Sequence, residues 1–250
     1  MTILGVDTAT AVSSVALLED GQVSAEAAIF PPQSPDGVTV SSKSNHSETV
    51  LPLIQSVLET RHRRFSDIDA IAVSIGPGSF TGLRIGLALV KGLAYECSLP
   101  VVGVSSLEAQ AARVTELVGA ICPLLDARKQ EVYAALFDRR DEKLVRCRAD
   151  QAIEVSELIG LFGAITDTAA IAFVGNGAAR YREQIVDLFG ERAQIIGENC
   201  GGSAAGALAR LALARLTEAS GADLGQLVPL YLGASQALGN ARRILPNPLK

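Results

Sequence analysis

The stretch SIGPGSFTGLRIG, residues 74–86, has the residue types of a loop that holds phosphate: glycines, a proline, a serine and a threonine between an apolar run and a long apolar helix. Its spacing, however, misses each established pattern. A P-loop needs a glycine, four residues and then Gly-Lys-Ser/Thr. Here Gly76 is followed by five residues before Gly82, and then by Leu83 and Arg84. A dinucleotide fingerprint on Gly76 and Gly78 would need a third glycine where Thr81 stands. A nucleophile elbow around Ser79 would need glycines where Pro77 and Thr81 stand. The chain has only two histidines, His46 and His62, and the second sits in a charged turn, so a Ser-His-Asp triad is not expected.

What the loop does have is a fixed turn at Pro77, freedom for unusual dihedrals at Gly76 and Gly78, and a capping hydroxyl at Ser79 or Thr81. The helix after it carries Gly82, Gly86 and Gly92, and each glycine inside a helix costs about 1 kcal/mol relative to alanine. That cost needs a compensating reason, and close approach of another backbone supplies one. Leu83, Ile85, Leu87, Leu89, Val90 and Leu93 surround the same helix, which predicts burial on more than one side. One side belongs to a sheet. The other is read as the seat of a partner chain.

The elements that must position this loop are legible on either side of it. ILGV at 3–6 reads as a short strand, and the run from Ser14 to Ile29 as two strands joined at Asp20-Gly21. Residues 31–45 are rich in Pro, Ser and Gly and read as a mobile loop. Asn45 and Glu48 have capping-box spacing ahead of a helix at about 47–60, which Pro52 should kink or tighten. IDAIAVSI is continuously apolar, as a strand buried on both faces and parallel to its neighbours would be. LPVVGV repeats that pattern. From Ser105 a second, less regular series of strands and helices begins, with a hairpin from QEVYAALFD to KLVRCRA, a turn at GNG, a helix from about 203 to 219 and a Pro-rich tail. This divides the chain near Val104 into domains 1–104 and 105–250.

Bulk properties narrow the functional classes. The chain has 250 residues, ample for a real core, with aromatics at only 4% and no Trp, so small aliphatic side chains must fill closely packed helix–sheet layers. A net charge of −5 argues against gripping nucleic acid unaided. Cys97, Cys122, Cys147 and Cys200 are scattered without zinc spacing and read as reduced core thiols. MTILGVDTAT lacks the character of a signal peptide, and no run is apolar and long enough for a bilayer, so a cytoplasmic protein without membrane contact is expected.

GVDTAT, GPGSFTGLRIG, PVVGVSSLEA and DARKQEVYAALF together resemble the bacterial TsaB (YeaZ) family, paralogues of the TsaD enzymes formerly called glycoproteases. The match covers about residues 1–137 by motif, with FVGNGA and LVPLYL matching in layout beyond it. The resemblance implies a two-domain α/β fold of the actin/Hsp70/sugar-kinase (ASKHA) type, each domain built on a mixed sheet. It implies a role in forming N6-threonylcarbamoyladenosine (t6A) beside the anticodon of tRNA. TsaD does the transfer there, TsaB binds TsaD as a heterodimer, the ATPase TsaE joins them, and tRNA is reached only through the complex. Homodimerisation is expected when the chain is alone.

The resemblance also assigns residues. The catalytic relatives carry a His-x-x-x-His metal pair after the strand matching LPVVGV, and the matching positions here are Ser106 and Gln110, neither of which replaces imidazole. No catalytic residue and no metal ligand is therefore assigned. Asp7, Thr8 and Thr10 match the first hairpin turn, which in ATPases of this fold faces the phosphates, its acid holding Mg²⁺ through water. The other reading is that Asp7 and Thr8 tie down a tight turn. No cofactor is expected on the isolated chain, with ATP or ADP and Mg²⁺ confined to the assembled complex. The partner face is drawn on His46, Val50, Leu51, Ile54, Leu58, Gly82, Arg84, Ile85, Gly86, Leu89 and Leu93. Arg61, His62, Arg63 and Arg64 read as a solvated turn rather than a tRNA contact, and Asp126 with Arg128 as an ion pair or a fold-fixing hydrogen bond rather than chemistry. Two other readings stay open: an ATP-dependent kinase or hydrolase with Asp7 on Mg²⁺, and a metallopeptidase.

Overall fold

Asp20 and Gly21, both at positive φ (50° and 80°), close a two-residue hairpin between β2 (Ser13–Glu19) and β3 (Gln22–Ile29). β2 lies antiparallel to β1 (Thr2–Asp7) as well. The computed structural model describes residues 1–30, 45–116, 119–141, 143–163, 170–197, 202–218 and 224–232. The stretch read as a mobile loop lies outside the described residues except for Asn45, as do Cys200 and most of the Pro-rich tail.

After the hairpin come α1 (His46–Thr60), β4 (Ala70–Gly76), α2 (Phe80–Cys97), β5 (Val101–Ser105) and α3 (Ser106–Ala112). β4 runs parallel to β1 on one side and β5 on the other, giving the order β3-β2-β1-β4-β5. A central strand has no solvent face, which is why its sequence shows no alternation. Leu4, Val6, Val15, Leu17, Ile71 and Val73 face α1 and α2 across one layer. Ile3, Leu18, Ala70 and Ala72 face the other layer, where α7 (Ala204–Glu218) supplies Ala207, Leu208, Ala209 and Ala212. The small side chains let α7 lie close: a Cβ at Gly5 of β1 would run into the carbonyl of Ala205.

The second sheet has the order β10-β9-β6-β7-β8. β6 (Gly119–Arg128), β7 (Glu131–Arg140) and β8 (Lys143–Glu154) form an antiparallel meander, and β9 (Ile171–Val174) joins β6 and β10 (Ala193–Ile196) in parallel. Its helices are α4 (Leu158–Phe162), α5 (Asn176–Arg180) and α6 (Arg182–Phe189). Phe162, Phe173 and Phe189 meet at its core with ring centroids 5.0–6.1 Å apart.

The chain forms two compact units, Met1–Thr115 with Asn199–Leu230 and Glu116–Glu198 with Tyr231–Lys250. A cut at Val104 differs because it would strip α3 and α7 from the sheet they cover. Arg215 of α7 holds Glu108 of α3 through both carboxylate oxygens (2.7 and 2.8 Å) and donates to the carbonyl of Gly103 (3.0 Å). Three local expectations are also corrected. Asn45 caps α1 without a side-chain bond, its Oδ1 instead accepting from Ser47 at 3.1 Å. GNG starts α5 rather than a separate turn. Cys97 is exposed and Cys147 half-buried, so only Cys122 among the described cysteines is a core thiol, its acidity suppressed by burial.

Candidate functional site

The glycine loop closes on its own chain. Gly76 and Gly78 take positive φ (111° and 158°), and a Cβ at Gly78 would collide with the carbonyl of Ala9. That carbonyl accepts the Ser79 N–H at 2.7 Å. Ser79 Oγ then accepts the Gly82 N–H at 3.2 Å and caps α2, as its position predicts. The donors a phosphate would need at Ser79 and Gly82 are thus already engaged within the chain.

The turn between β1 and β2 fills the notch that the helix glycines leave. A Cβ at Gly82 would run into the Thr8 carbonyl, and one at Gly86 into Thr8 Oγ1. Thr8 Oγ1 donates to the Gly82 carbonyl at 2.8 Å, and the Thr8 N–H points to Ser74 Oγ at 3.4 Å. This corrects the expectation that Gly82 and Gly86 admit a partner: they admit Thr8. Asp7 Oδ1 accepts from the Ala9 N–H at 3.2 Å, and Thr10 Oγ1 from the Val12 N–H at 3.2 Å. Asp7, Thr8 and Thr10 therefore hold the turn through side-chain-to-backbone bonds. Asp7 is 4% exposed. Burial pushes its carboxyl upward, while the Ser74 hydroxyl, the Ala9 N–H, Arg113 and His46 pull it back.

His46 opens α1 at 1% exposure, with Nδ1 2.7 Å from Ser13 Oγ, which also lies 3.0 Å from Thr49 Oγ1. Serine and imidazole at that distance have the geometry of a nucleophile and its base. Ser13 is only 3% exposed, so the pair is closed to substrate and serves to tie α1 to β2. Burial lowers the His46 pKa below its ordinary 6.5, against the pull of Asp7 and a backbone bond to Thr10. The unfolded chain then takes up a proton near pH 6.5 that the native fold refuses, so stability falls as pH drops through that value. Chemical unfolding at pH 7.5 and 5.5 should show a smaller loss in His46→Asn than in the wild type; equal losses would remove His46 as the cause.

The other residues of the expected partner face divide by exposure. Val50, Ile54 and Leu58 face the chain's own core. Leu51 is 44% exposed and Arg84 is exposed, while Ile85, Leu89 and Leu93 are half-buried. The expected partner face leaves out three residues on the outward side. Phe80 is 53% exposed beneath the Arg84 guanidinium, 3.9 Å from its ring centroid, Tyr95 is 80% exposed, and Ala88 lies between them. Phe80, Arg84, Ala88 and Tyr95 fall on one stripe of α2, a pattern visible in the sequence only once the buried side is fixed.

The basic run is tied down. Arg61 and Arg63 both hold Glu19 of β2, at 3.0 and 2.7 Å, and Arg64 lies 3.9 Å from Asp67. The Ser24 hydroxyl with these two arginines brings Glu19 from 4.5 to about 2. A depressed carboxylate stabilises the fold above its unfolded pKa, and that contribution is lost as pH falls from 4.5 toward 2. Glu19→Gln should flatten the acid limb of a stability–pH curve over that window; an unaltered limb would reject the assignment. Asp126 receives the Tyr181 hydroxyl (3.0 Å), the Arg128 N–H (3.0 Å) and Arg180 (3.5 Å), so its cationic partner is Arg180 rather than the Arg128 side chain.

Ser106 and Gln110 are 3% and 6% exposed. A hydroxyl and a neutral amide do not make a transition-metal seat. No three His, Cys, Asp or Glu side chains cluster for a metal among the described residues. The residues present do not fit the metal that the family implies. No helix among the described residues is long and apolar enough to cross a membrane.

Comparison with known proteins places this geometry. A family model described as TsaD: tRNA N6-adenosine threonylcarbamoyltransferase matches residues 37–239. The chain is 32% identical over 95% of its length to the tRNA threonylcarbamoyladenosine biosynthesis protein TsaB of Bacillus subtilis (strain 168), covering 96% of that protein. It is 36% identical to the protein of the same name in Escherichia coli (strain K12) over 64% of each chain. YeaZ from Pseudomonas aeruginosa is similar in structure with a TM-score of 0.75 at 26% identity, over 92% of this chain and 99% of that one. Component A of the Acidaminococcus fermentans (R)-2-hydroxyglutaryl-CoA dehydratase, at 12% identity and a TM-score of 0.51 over 87% and 99%, shares the fold alone. Two mixed five-stranded sheets flanked by helices are the ASKHA type of fold.

Proposed function

The chain belongs to the TsaB family of tRNA threonylcarbamoyladenosine biosynthesis proteins, and from that membership we propose that it is the non-catalytic subunit that supports t6A formation by pairing with TsaD. The observation that carries the reading is the outward stripe of α2, together with the exposure of Leu51 on α1. Tyr95, Phe80 and Leu51 stand at 80%, 53% and 44% exposure on two helices whose other sides are buried in the chain's own core. Exposed aromatics and an arginine gathered on one face are the composition of an interface centre. The misfit of Ser106 and Gln110 to a metal supports a partner role over a catalytic one.

In this reading TsaD supplies the transfer chemistry, TsaE joins the pair, and tRNA is met through the complex. Two copies of this chain pair through the same stripe when TsaD is absent. A nucleotide with Mg²⁺ belongs to the assembled complex, since the Asp7–Thr10 turn is engaged with its own backbone. The test is co-purification with TsaD from the same cell, followed by reconstituted tRNA modification with and without this chain. Modification that requires this chain and TsaD together is the expected result. Modified nucleoside made by this chain without TsaD, or made as fast when it is omitted, would overturn the proposal. Calorimetry with Mg-ATP separates the kinase reading, which needs tight binding and turnover by the chain alone.

A further inference from the structure

Ser106, Gln110 and Arg113 stand at i, i+4 and i+7 and so share one face along α3 and its C-terminal cap. All three are buried, at 3%, 6% and 8% exposure. Arg113 reaches back along the helix and donates to Gln110 Oε1 at 2.7 Å, while its Nε donates to the Gly202 carbonyl at 2.9 Å. Ser106 Oγ finds no hydrogen-bond partner among the described residues, an orphan that a fully built hydrogen-bond network would not leave. The positive charge of Arg113 also acts on the buried carboxylate of Asp7, at the end of β1. Guanidinium stays charged under all conditions in which a protein is folded.

We propose that Arg113 is a resident cation that occupies the place of a divalent ion on this face, so that the chain excludes a metal there by charge and not merely by lack of ligands. Gln110, which would stand second in a ligand pair, offers its only acceptor oxygen to the guanidinium. An ion bound beside it would be repelled by Arg113 and would have to displace that bond. Arg113 is thus a positioning residue: it fixes the Gln110 side chain and ties the end of α3 to the Gly202 carbonyl.

The test uses the purified full chain and Co²⁺, read by calorimetry and by the visible absorption of the bound ion. S106H/Q110H installs an imidazole pair one helical turn apart and keeps Arg113; S106H/Q110H/R113Q also removes the charge. The triple variant should bind Co²⁺ at least about 100-fold more tightly than the double one. Equal affinities, or no binding by either folded protein, overturn the proposal. R113Q alone gives a second reading in case the triple variant does not fold. Its melting temperature should fall, and Mn²⁺, which suits the oxygen donors left behind, should restore it reversibly to EDTA. R113K, which keeps the charge, should not respond to Mn²⁺. A melting temperature that does not fall, or a fall that Mn²⁺ cannot restore, rejects the resident cation. None of these readings requires pairing with TsaD, so they stand or fall apart from the proposed function.

Discussion

Gly82→Ala and Gly86→Ala should each destabilise the isolated chain by about 1–3 kcal/mol, the range for forcing extra volume into a packed site, while Gly92→Ala on the same helix should stabilise it by about 0.5–1 kcal/mol. By helix propensity alone all three changes would help. The first two instead drive a methyl into the Thr8 carbonyl and Thr8 Oγ1, and no flexible side chain can yield at Gly82, where the obstacle is backbone. A Cβ at Gly92 meets nothing within 4 Å. Urea unfolding of the three single variants, at a concentration where the chain is monomeric, reads the difference. If all three gained stability, the glycines would serve something outside the chain, and the seating of Thr8 would be wrong.

How far the sequence reached follows from the range of each interaction. Asp20-Gly21, the buried central strand β4 and the Ser79 cap are written in neighbouring residues, and each stands where the pattern places it. α2 is a different case. Its apolar circumference suggests burial on more than one side, whereas Gly82, Leu83, Gly86, Leu87, Val90 and Ala94 are buried on one face, and the neighbour in its glycine notch is Thr8, 74 residues away from Gly82, which no local pattern names. A glycine in a helix announces that something comes close without saying what. The same limit hid Arg113, whose acceptors are one helical turn back and across the chain at Gly202. Reading Ser106 and Gln110 as the positions of a ligand pair rested on the resemblance and took in only those two residues of the face. It missed the charge that stands there. Among the eleven residues drawn as a partner face, Val50, Ile54, Leu58, His46, Gly82 and Gly86 are turned inward, because helical periodicity marks an apolar stripe without telling a core from an interface.

That distinction decides which substitutions probe pairing. Tyr95→Glu combined with Ala88→Arg should weaken self-association, and association with TsaD, by at least about 100-fold, equivalent to about 2.8 kcal/mol, and should leave the melting temperature within a degree or two. Both positions are exposed on α2, Tyr95 to 80%, so neither change removes a contact the monomer uses. At the centre of an interface the same changes would delete an aromatic anchor and bury two unpaired charges, the combination that most strongly opposes association. Arg84→Ala should have a smaller effect, since it removes the guanidinium stacked on Phe80 and leaves that ring uncovered. Gly86→Arg would also abolish pairing, but by displacing Thr8 and unsettling α2, and so would not distinguish an interface from a damaged fold. Sedimentation velocity of the double variant, alone and with TsaD, beside its thermal melt, reads the two quantities separately. A stable double variant that still pairs at wild-type affinity would move the partner off this stripe and leave Phe80, Arg84 and Tyr95 without the role assigned to them.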